Sequence, residues 1–414
     1  MRPAPYRTPP YRTPLADPVD PREAFVARYA GAPNAFWLDA GPAGRHLLGV
    51  GEPVALRPGA VLPGLRAALP GSLGLVGWLE YELRGETLGA DLPLDRAPAA
   101  FLRVREALAV DAATGRAELW SVDPAPASEE RPWRPSEAGP PGPAVARDGD
   151  ERYLGMIAEC REAIRAGEAY QLCLTSSTGV DGIADPVAAY LRLRETSPSH
   201  HGGFLRIGGT SLLSSSPERF LEVADGRVAT HPIKGTRPRG ATPEEDARLR
   251  DELLASEKER AENLMIVDLM RNDLQRVCEV GSVEVSRLLE VESYPHVHQL
   301  VSTVEGRMRD GLDAIDAIAA CFPAGSMTGA PKRRAIEILD GLEAQPRGVY
   351  SGAFGWLAPD GSAELAMVIR SAVVADGRAT VGSGGGITAL SVPTEEVAEM
   401  RLKAAPLLAA LRGE

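Results

Sequence analysis

Short apolar runs, each closed by Gly or Pro, dominate the first quarter of the chain: Ala35–Leu38, His46–Val50, Leu73–Leu79, Ala107–Val110 and Ala117–Trp120. Runs of that length between turn residues predict strands. From Glu151 to Gly167 the period changes. Tyr153, Met156, Ile157, Cys160 and Ile164 share one stripe, which predicts an amphipathic helix. Strands are then predicted over Tyr170–Leu174, Ser211–Ser214 and Phe220–Val223, the last two separated by Ser216-Pro217-Glu218-Arg219. Thr242-Pro243-Glu244-Glu245 offers a hydroxyl N-cap, proline at the first helical position and Glu at the third, a capping box. The helix it opens is predicted to run through Glu262 towards Leu274. Beyond it come strands near Val283 and over Val297–Glu305, a helix over Asp313–Cys321, and a glycine-broken loop over Ala324–Ala330 with a helix from Pro331. Strands over Gly348–Leu357, Glu364–Val374 and Ala379–Val381 lead to Gly384-Gly385-Gly386 and a terminal helix from Thr394 to Leu411. The strands lack the regular helix spacing of a parallel α/β protein, so the class is α+β.

A chain of 414 residues can bury a large core in one big domain or in two to three ordinary ones. Residues 1–20 carry a tandem PYRTP repeat and little that could pack, and predict a flexible tail. Residues 124–149, rich in Pro, Gly and charge, predict a linker between an N-terminal region over 21–123 and a larger domain over 150–412. The net charge of −12, with no basic run to offset it, argues against nucleic acid as a partner. Cys160, Cys173, Cys278 and Cys321 are too scattered for a zinc site or a disulfide framework and read as buried small hydrophobes. No stretch approaches the ~18 apolar residues of a membrane span, and the N-terminus has no signal-peptide core. The expected location is cytoplasmic.

The chemistry concentrates between His231 and Gly240. Lys234 sits between an apolar pair and a Gly-Thr step, followed by Arg237 and Arg239. Such a segment is either a basic turn after a strand or an ammonium on a proline-braced loop, placed to meet an anion or to act as a nucleophile. Glu262 lies among apolar helix neighbours, and Glu396, Glu399 and Lys403 share one face of the terminal helix. These are solvated charges, or carboxylates from two helices that meet at a divalent cation; few hard oxygen ligands suit Mg²⁺. Gly384, Gly385 and Gly386 form either a plain turn or a place where backbone N–H groups approach a carboxylate. Arg370 ends an apolar strand and needs either an ion pair or an anionic ligand. His296 and His298 alternate on a strand and read as packing residues.

Eight segments together resemble the chorismate-utilising enzymes: SSSPERF, PIKGTRPRG, RAENLMIVDLMRNDL, HVHQLVSTVEG, FPAGSMTGAPKRRAIEIL, RGVYSGAFGW, AMVIRS and GGGI followed by PTEEVAEMRLKA. They occur in family order across roughly residues 150–410. GRHLLG and GLVGWLEYEL resemble, more loosely, the N-terminal part of the family's ammonia-using large subunits. The resemblance implies an anthranilate synthase component I-like fold: two large antiparallel β-sheets packed as a sandwich and flanked by helices. Water-using members carry a lysine base where this chain has Gln171, so the amide implies an ammonia-using member. Anthranilate-forming members usually carry alanine where this chain has Lys234. Lysine there marks the branch that makes 4-amino-4-deoxychorismate.

The resemblance then implies a mechanism. Lys234 attacks C2 of chorismate while the C4 hydroxyl departs, protonated by Glu218, and ammonia adds at C4 and expels the lysine. For this Lys234 needs a depressed pKa, which burial beside cations could supply. Glu262 and Glu399 match the family's Mg²⁺ ligands, with Glu396 helping through water. Lys403 and the glycine backbone assist the metal-held ring carboxylate, Tyr350 and Arg370 hold the enolpyruvyl carboxylate, and Thr328 and Gln171 line the site. Arg237 and Arg239 brace the loop. Two departures stand out: Gln299 where the family often has histidine, so no role passes to the neighbouring His298, and Leu390 where an Asp is usual. No amidotransferase segment with its nucleophile-elbow cysteine is present, which implies a separate glutamine amidotransferase subunit as ammonia source. The implied pathway is folate through p-aminobenzoate, or a related specialised metabolite. An anthranilate-forming enzyme is the nearest rival, and a non-catalytic chorismate-binding paralogue is a rival of another class.

Overall fold

The structure is a computed structural model that describes residues 11–89, 92, 94–124, 130–136, 139–294 and 297–414. His296 lies outside the described residues. Among them, every named strand pairing is antiparallel and the strands form two sheets. The first sheet runs, in spatial order, through Tyr11–Pro14, Ala117–Ser121, Glu106–Asp111, Arg45–Val50, Ala35–Asp39, His201–Ile207, Thr210–Ser216, Ser371–Ala375, Arg378–Ile387, Gln171–Asp181 and Gly329–Ala330. The second runs through Ile233–Pro238, Val297–Arg307, Arg227–Thr230, Arg219–Ala224, Ala363–Met367, Ala353–Leu357, Gly74–Leu79, Ala99–Val104 and Glu52–Pro53. A core of Phe36, Leu47 and Leu205 from the first sheet and Val76, Trp78, Phe354 and Trp356 from the second joins them face to face. Burying such aromatic area is the largest favourable contribution available to a sandwich. Helices flank it, so the predicted α+β sandwich is the observed one.

The N-terminal strands complete both sheets. Ala35–Asp39 pairs with His201–Ile207, and Gly74–Leu79 with Ala353–Leu357. Residues 21–123 are separated from the rest in sequence, while in space their hydrogen-bond ladders cross that boundary. The stretches expected as a flexible tail and as a linker both carry ordered structure. Tyr11–Pro14 is an edge strand on Ala117–Ser121, with Arg12 over the Trp120 ring, so the tail expected over residues 1–20 is ordered there. In the predicted linker, Trp133 donates backbone N–H to Val26 and points its indole N–H at Asp185, and Ala144–Ala146 adds a strand to Gln171–Asp181. A lone aromatic among prolines finds apolar surface, and the backbone follows it.

The predicted long helix is two. Pro243–Ala255 ends at Ser256, whose hydroxyl caps the next helix, Glu257–Gln275, by accepting from Glu259 N–H. Thr242 accepts from Glu245 N–H at 3.2 Å, but the Glu245 carboxylate takes the N–H of Ala241, so the reciprocal capping box is incomplete. Pro186–Thr196, capped by Asp185, is a helix that the apolar pattern leaves unpredicted. No helix among the described residues is long and apolar enough to cross a membrane.

Candidate active site

Glu218 stands where the chain leaves the first sheet after Ser216 and joins the second at Arg219. Its backbone carbonyl accepts from Met367 N–H at 3.0 Å, which ties the crossing to the neighbouring strand. Burial pushes its carboxyl up to about 7, against the opposing pull of Lys234 and the Ser326 hydroxyl. Burial of an acid beside a cation is how a general acid becomes available at neutral pH.

Lys234 comes from the edge strand Ile233–Pro238, whose register on Val297–Arg307 shifts between Ile233 and Thr236. Bulges re-aim a side chain out of strand alternation. Gly235 makes this one possible: its φ is +81°, and a Cβ there would meet Glu259 at 2.9 Å. Burial pulls the Lys234 ammonium down, but Glu262 above all, with Cys173, Glu218 and Glu399, raises it above its ordinary value. The expected depressed pKa from neighbouring cations is therefore corrected: carboxylates surround this lysine.

Glu262 projects from Glu257–Gln275 and is 6% exposed. Burial pushes it up to about 7, only partly opposed by Lys234 and Lys258. From Pro393–Arg412, Glu396 is 3% exposed and accepts from the Lys258 ammonium at 2.8 Å. Glu399 is exposed and pairs with Lys403 at 2.7 Å; burial raises its carboxyl, but Lys403 leads the cations that hold it below the usual range. Lys403 also donates to the Gly384 carbonyl at 2.9 Å.

Gly384, Gly385 and Gly386 are strand, so of the two alternatives the plain turn falls away. They lie in Arg378–Ile387, opposite Thr175, Leu174 and Cys173. The ladder to Ser371–Ala375 ends at Val381, so among the described residues their other edge has no strand partner. The absent side chains make room for the site: a Cβ on Gly385 would stand 3.1 Å from Glu396 Oε2, and one on Gly386 would stand 3.3 Å from Glu262 Oε2 and 2.5 Å from Gln171 Nε2. Gln171, 1% exposed, has neither amide atom hydrogen-bonded. A buried amide left without partners is costly unless a ligand completes it.

Tyr350 lies in the turn before Ala353–Leu357, and its ring covers Gly382, where a Cβ would meet it at 2.1 Å. Arg370 adopts φ +50°, an uncommon conformation for a side-chain-bearing residue. Burial lowers its guanidinium pKa, and no carboxylate among the described residues forms an ion pair with it. Thr328 is fully buried, but its hydroxyl bonds the carbonyls of Ala324 and Gly325, so it shapes the loop from inside.

The remaining expected residues are structural. Arg237 pairs with Glu252 at 3.1 Å, and Arg239 grips Asp246 with two bonds of 2.7 and 2.8 Å. His298 is held between Ser293 and Asp246. Leu390 is 65% exposed on a groove beside Lys258 and Glu262. Sequence reasoning missed Lys258, although its position four residues before Glu262 places both on one helix face. It also missed Ser326, although the quoted FPAGSMTGAPKRRAIEIL segment contains it, and Gly382, for which no local pattern speaks.

The donor set suits a hard divalent cation. Among the described residues no three acidic, His or Cys side chains form a ready cage. Mg²⁺ needs only one or two carboxylates and keeps its other positions for water and substrate. Glu262, buried with its charge under-compensated, is the residue that fits such an ion best.

The sequence matches the chorismate binding enzyme family over residues 55–409. It is similar to an aminodeoxychorismate synthase of Streptomyces pristinaespiralis, 42% identical over 95% of this chain and 64% of that protein. It is also similar to anthranilate synthase component 1 of Streptomyces coelicolor, 38% identical over 96% of this chain and 88% of that one. Anthranilate synthase component I from Streptococcus pneumoniae superposes with a TM-score of 0.73 at 27% identity, covering 97% of this chain and 93% of that one. The chain thus spans less than two thirds of the first relative's length. With the family match running from residue 55 to 409 through both sheets, the chain belongs to the chorismate binding enzyme family.

Proposed function

We propose that this chain aminates chorismate at C4 to give 4-amino-4-deoxychorismate, the reaction of an aminodeoxychorismate synthase large subunit. The observation that carries the reading is the placement of Lys234: an amine on a bulge, surrounded by Glu218, Glu262 and Glu399. A nucleophilic amine beside an acid that titrates near neutrality suits displacement of a hydroxyl group. Lys234 Nζ bonds to C2, both ring double bonds shift (C1=C2 to C1=C6 and C5=C6 to C4=C5), and the C4 hydroxyl leaves as water with the Glu218 proton. Ammonia then bonds to C4, both double bonds return, and the C2–N bond breaks to restore Lys234. The net change is chorismate plus ammonia to aminodeoxychorismate plus water.

Arg370, which has no ion pair among the described residues, and Tyr350 would hold the enolpyruvyl carboxylate, and Gln171 would offer a donor and an acceptor to the ring. Glu262, Glu399 and Glu396 would hold Mg²⁺. When bound, the metal would anchor the ring carboxylate and neutralise Glu262 and Glu399, two of the carboxylates that keep Lys234 charged. Ammonia comes, on this reading, from a separate glutamine amidotransferase subunit, and the product feeds p-aminobenzoate and folate synthesis or a related metabolite. A cytoplasmic location is supported by four buried cysteines, none in a disulfide.

Incubating the protein with chorismate, ammonium and Mg²⁺ tests this directly. Aminodeoxychorismate without pyruvate supports the reading. Anthranilate with pyruvate supports the second reading, which the likeness to anthranilate synthase component 1 over 88% of that protein favours. Binding without turnover under any ammonia source sinks both.

A further inference from the structure

Lys258 belongs to none of the roles assigned above, yet its ammonium sits inside the carboxylate cluster. Its Nζ is 2.8 Å from Glu396 Oε1 and 4.0 Å from Glu262 Oε1. Those two carboxylates are the most buried of the three expected to hold the metal. Lys403, the comparable lysine on the other side, is anchored twice, to Glu399 and to the Gly384 carbonyl. Lys258 bonds only carboxylates among the described residues, and its side chain is one-third exposed. It borders a groove of about 290 Å³ lined also by Tyr170, Met265, Thr388 and Leu390, room enough for a four-carbon stem to swing into.

We propose that Lys258 is the internal counter-cation of the metal site: its ammonium holds the Glu262–Glu396 pair until a divalent cation displaces it into the groove beside Tyr170 and Leu390. The inference rests on the reading that these carboxylates take Mg²⁺. Its physical basis is charge compensation. Two carboxylates buried near one lysine on separate helices repel each other and lose hydration, and without a cation between them the cleft would be strained. A lysine in the pair keeps the cleft formed in the absence of metal. The consequence is weaker metal binding, because each ion must break the Lys258–Glu396 contact before it gains Glu396. A flexible ammonium is suited to such exchange, whereas a planar guanidinium with several fixed bonds is not.

Binding of Mn²⁺ to the full-length chain, followed by the electron paramagnetic resonance of the free ion without substrate, provides a readout independent of turnover. Lys258→Met removes the competitor and should bind Mn²⁺ about fivefold tighter or more, the scale of a partly buried ion pair. Lys258→Arg, which keeps the charge, should stay within about twofold of wild type or bind more weakly. In crystals of the Mn²⁺ complex, Lys258 Nζ should lie beyond hydrogen-bond reach of Glu396, more than about 3.5 Å away. Unchanged or weaker Mn²⁺ binding by Lys258→Met overturns the proposal, as does a complex in which Lys258 keeps its bond to Glu396. Failure of both wild type and Lys258→Met to bind Mn²⁺ overturns the metal reading itself, a separate result from binding with equal affinity.

Discussion

Two buried charge clusters lie against the strand Gln171–Asp181, and they are built in opposite ways. In the first, Arg347 bonds both oxygens of Glu343 at 2.8 Å, the carbonyls of Met327 at 2.7 Å and Cys173 at 2.8 Å, and lies 4.4 Å over the Tyr81 ring. Glu343 also accepts the N–H and hydroxyl of Thr175 at 2.8 and 2.9 Å. Burial would lower the Arg347 guanidinium, but Tyr81 and Glu343 hold it well above its ordinary value. In the second cluster Glu218 and Glu262 are pushed up to about 7, and Gln171 has two amide atoms without a partner among the described residues. The same residue types, satisfied, make a scaffold; under-satisfied, they make a site. Arg347 ties together the Gln171 strand, the Ser326 loop and the Tyr350 turn, so the complete cluster holds the incomplete one in shape.

The comparison breaks if both clusters answer mutation alike. Lys234→Ala should cut amination on the order of 10³-fold or more while unfolding stability stays within about 1 kcal/mol of wild type. Steady-state rates with ammonium, read beside thermal melts, check both halves. Arg347→Ala should behave in reverse order, with about 3–5 kcal/mol of stability lost in urea unfolding because Glu343 is stranded in the interior. If Arg347→Ala were as stable as wild type, the scaffold role would be wrong.

Glu262→Gln sharpens the contrast through pH. A carboxyl raised in the folded state supports stability below its unfolded pKa and withdraws that support as pH rises through the folded value. Here the window runs from about 4.5 to about 7. In metal-free protein the amide should therefore stabilise at pH 8 by up to about 3 kcal/mol and by less at pH 5, read from melts at both values. The smallest effect is expected for Gln171→Leu. An apolar side chain there relieves an unbonded amide, so stability should hold or rise by about 1 kcal/mol while the KM for chorismate increases. An unchanged KM would remove Gln171 from the substrate's surroundings.

Much of the site was legible because its parts are local. The amine at Lys234, Glu262 inside an apolar helix and Glu399 four residues before Lys403 can each be read from a few neighbouring residues. Assignments that depended on surroundings were less legible. Lys234 was expected beside cations and lies among carboxylates; Gly384–Gly386 were read as a turn or as backbone open to close approach and form a strand; Thr328 turns its hydroxyl into its own loop. Glycines illustrate the reason. A run of them is consistent with a turn or with a strand that something must approach closely, and only the neighbours at Glu262, Glu396 and Gln171 distinguish the two.

By itself the sequence determined the α+β class, many of the strand runs, the proline-braced lysine and the carboxylate-bearing helices, since propensity, capping and periodicity act over a turn or a short strand. Tertiary structure alone decided how the N-terminal strands complete both sheets, that Lys258 meets Glu396 across 138 positions, and that the Arg347 cluster is complete while the Lys234 cluster is not. Those outcomes depend on hydrogen bonds, desolvation and charge pairing between segments far apart in the chain, and no local window contains both partners.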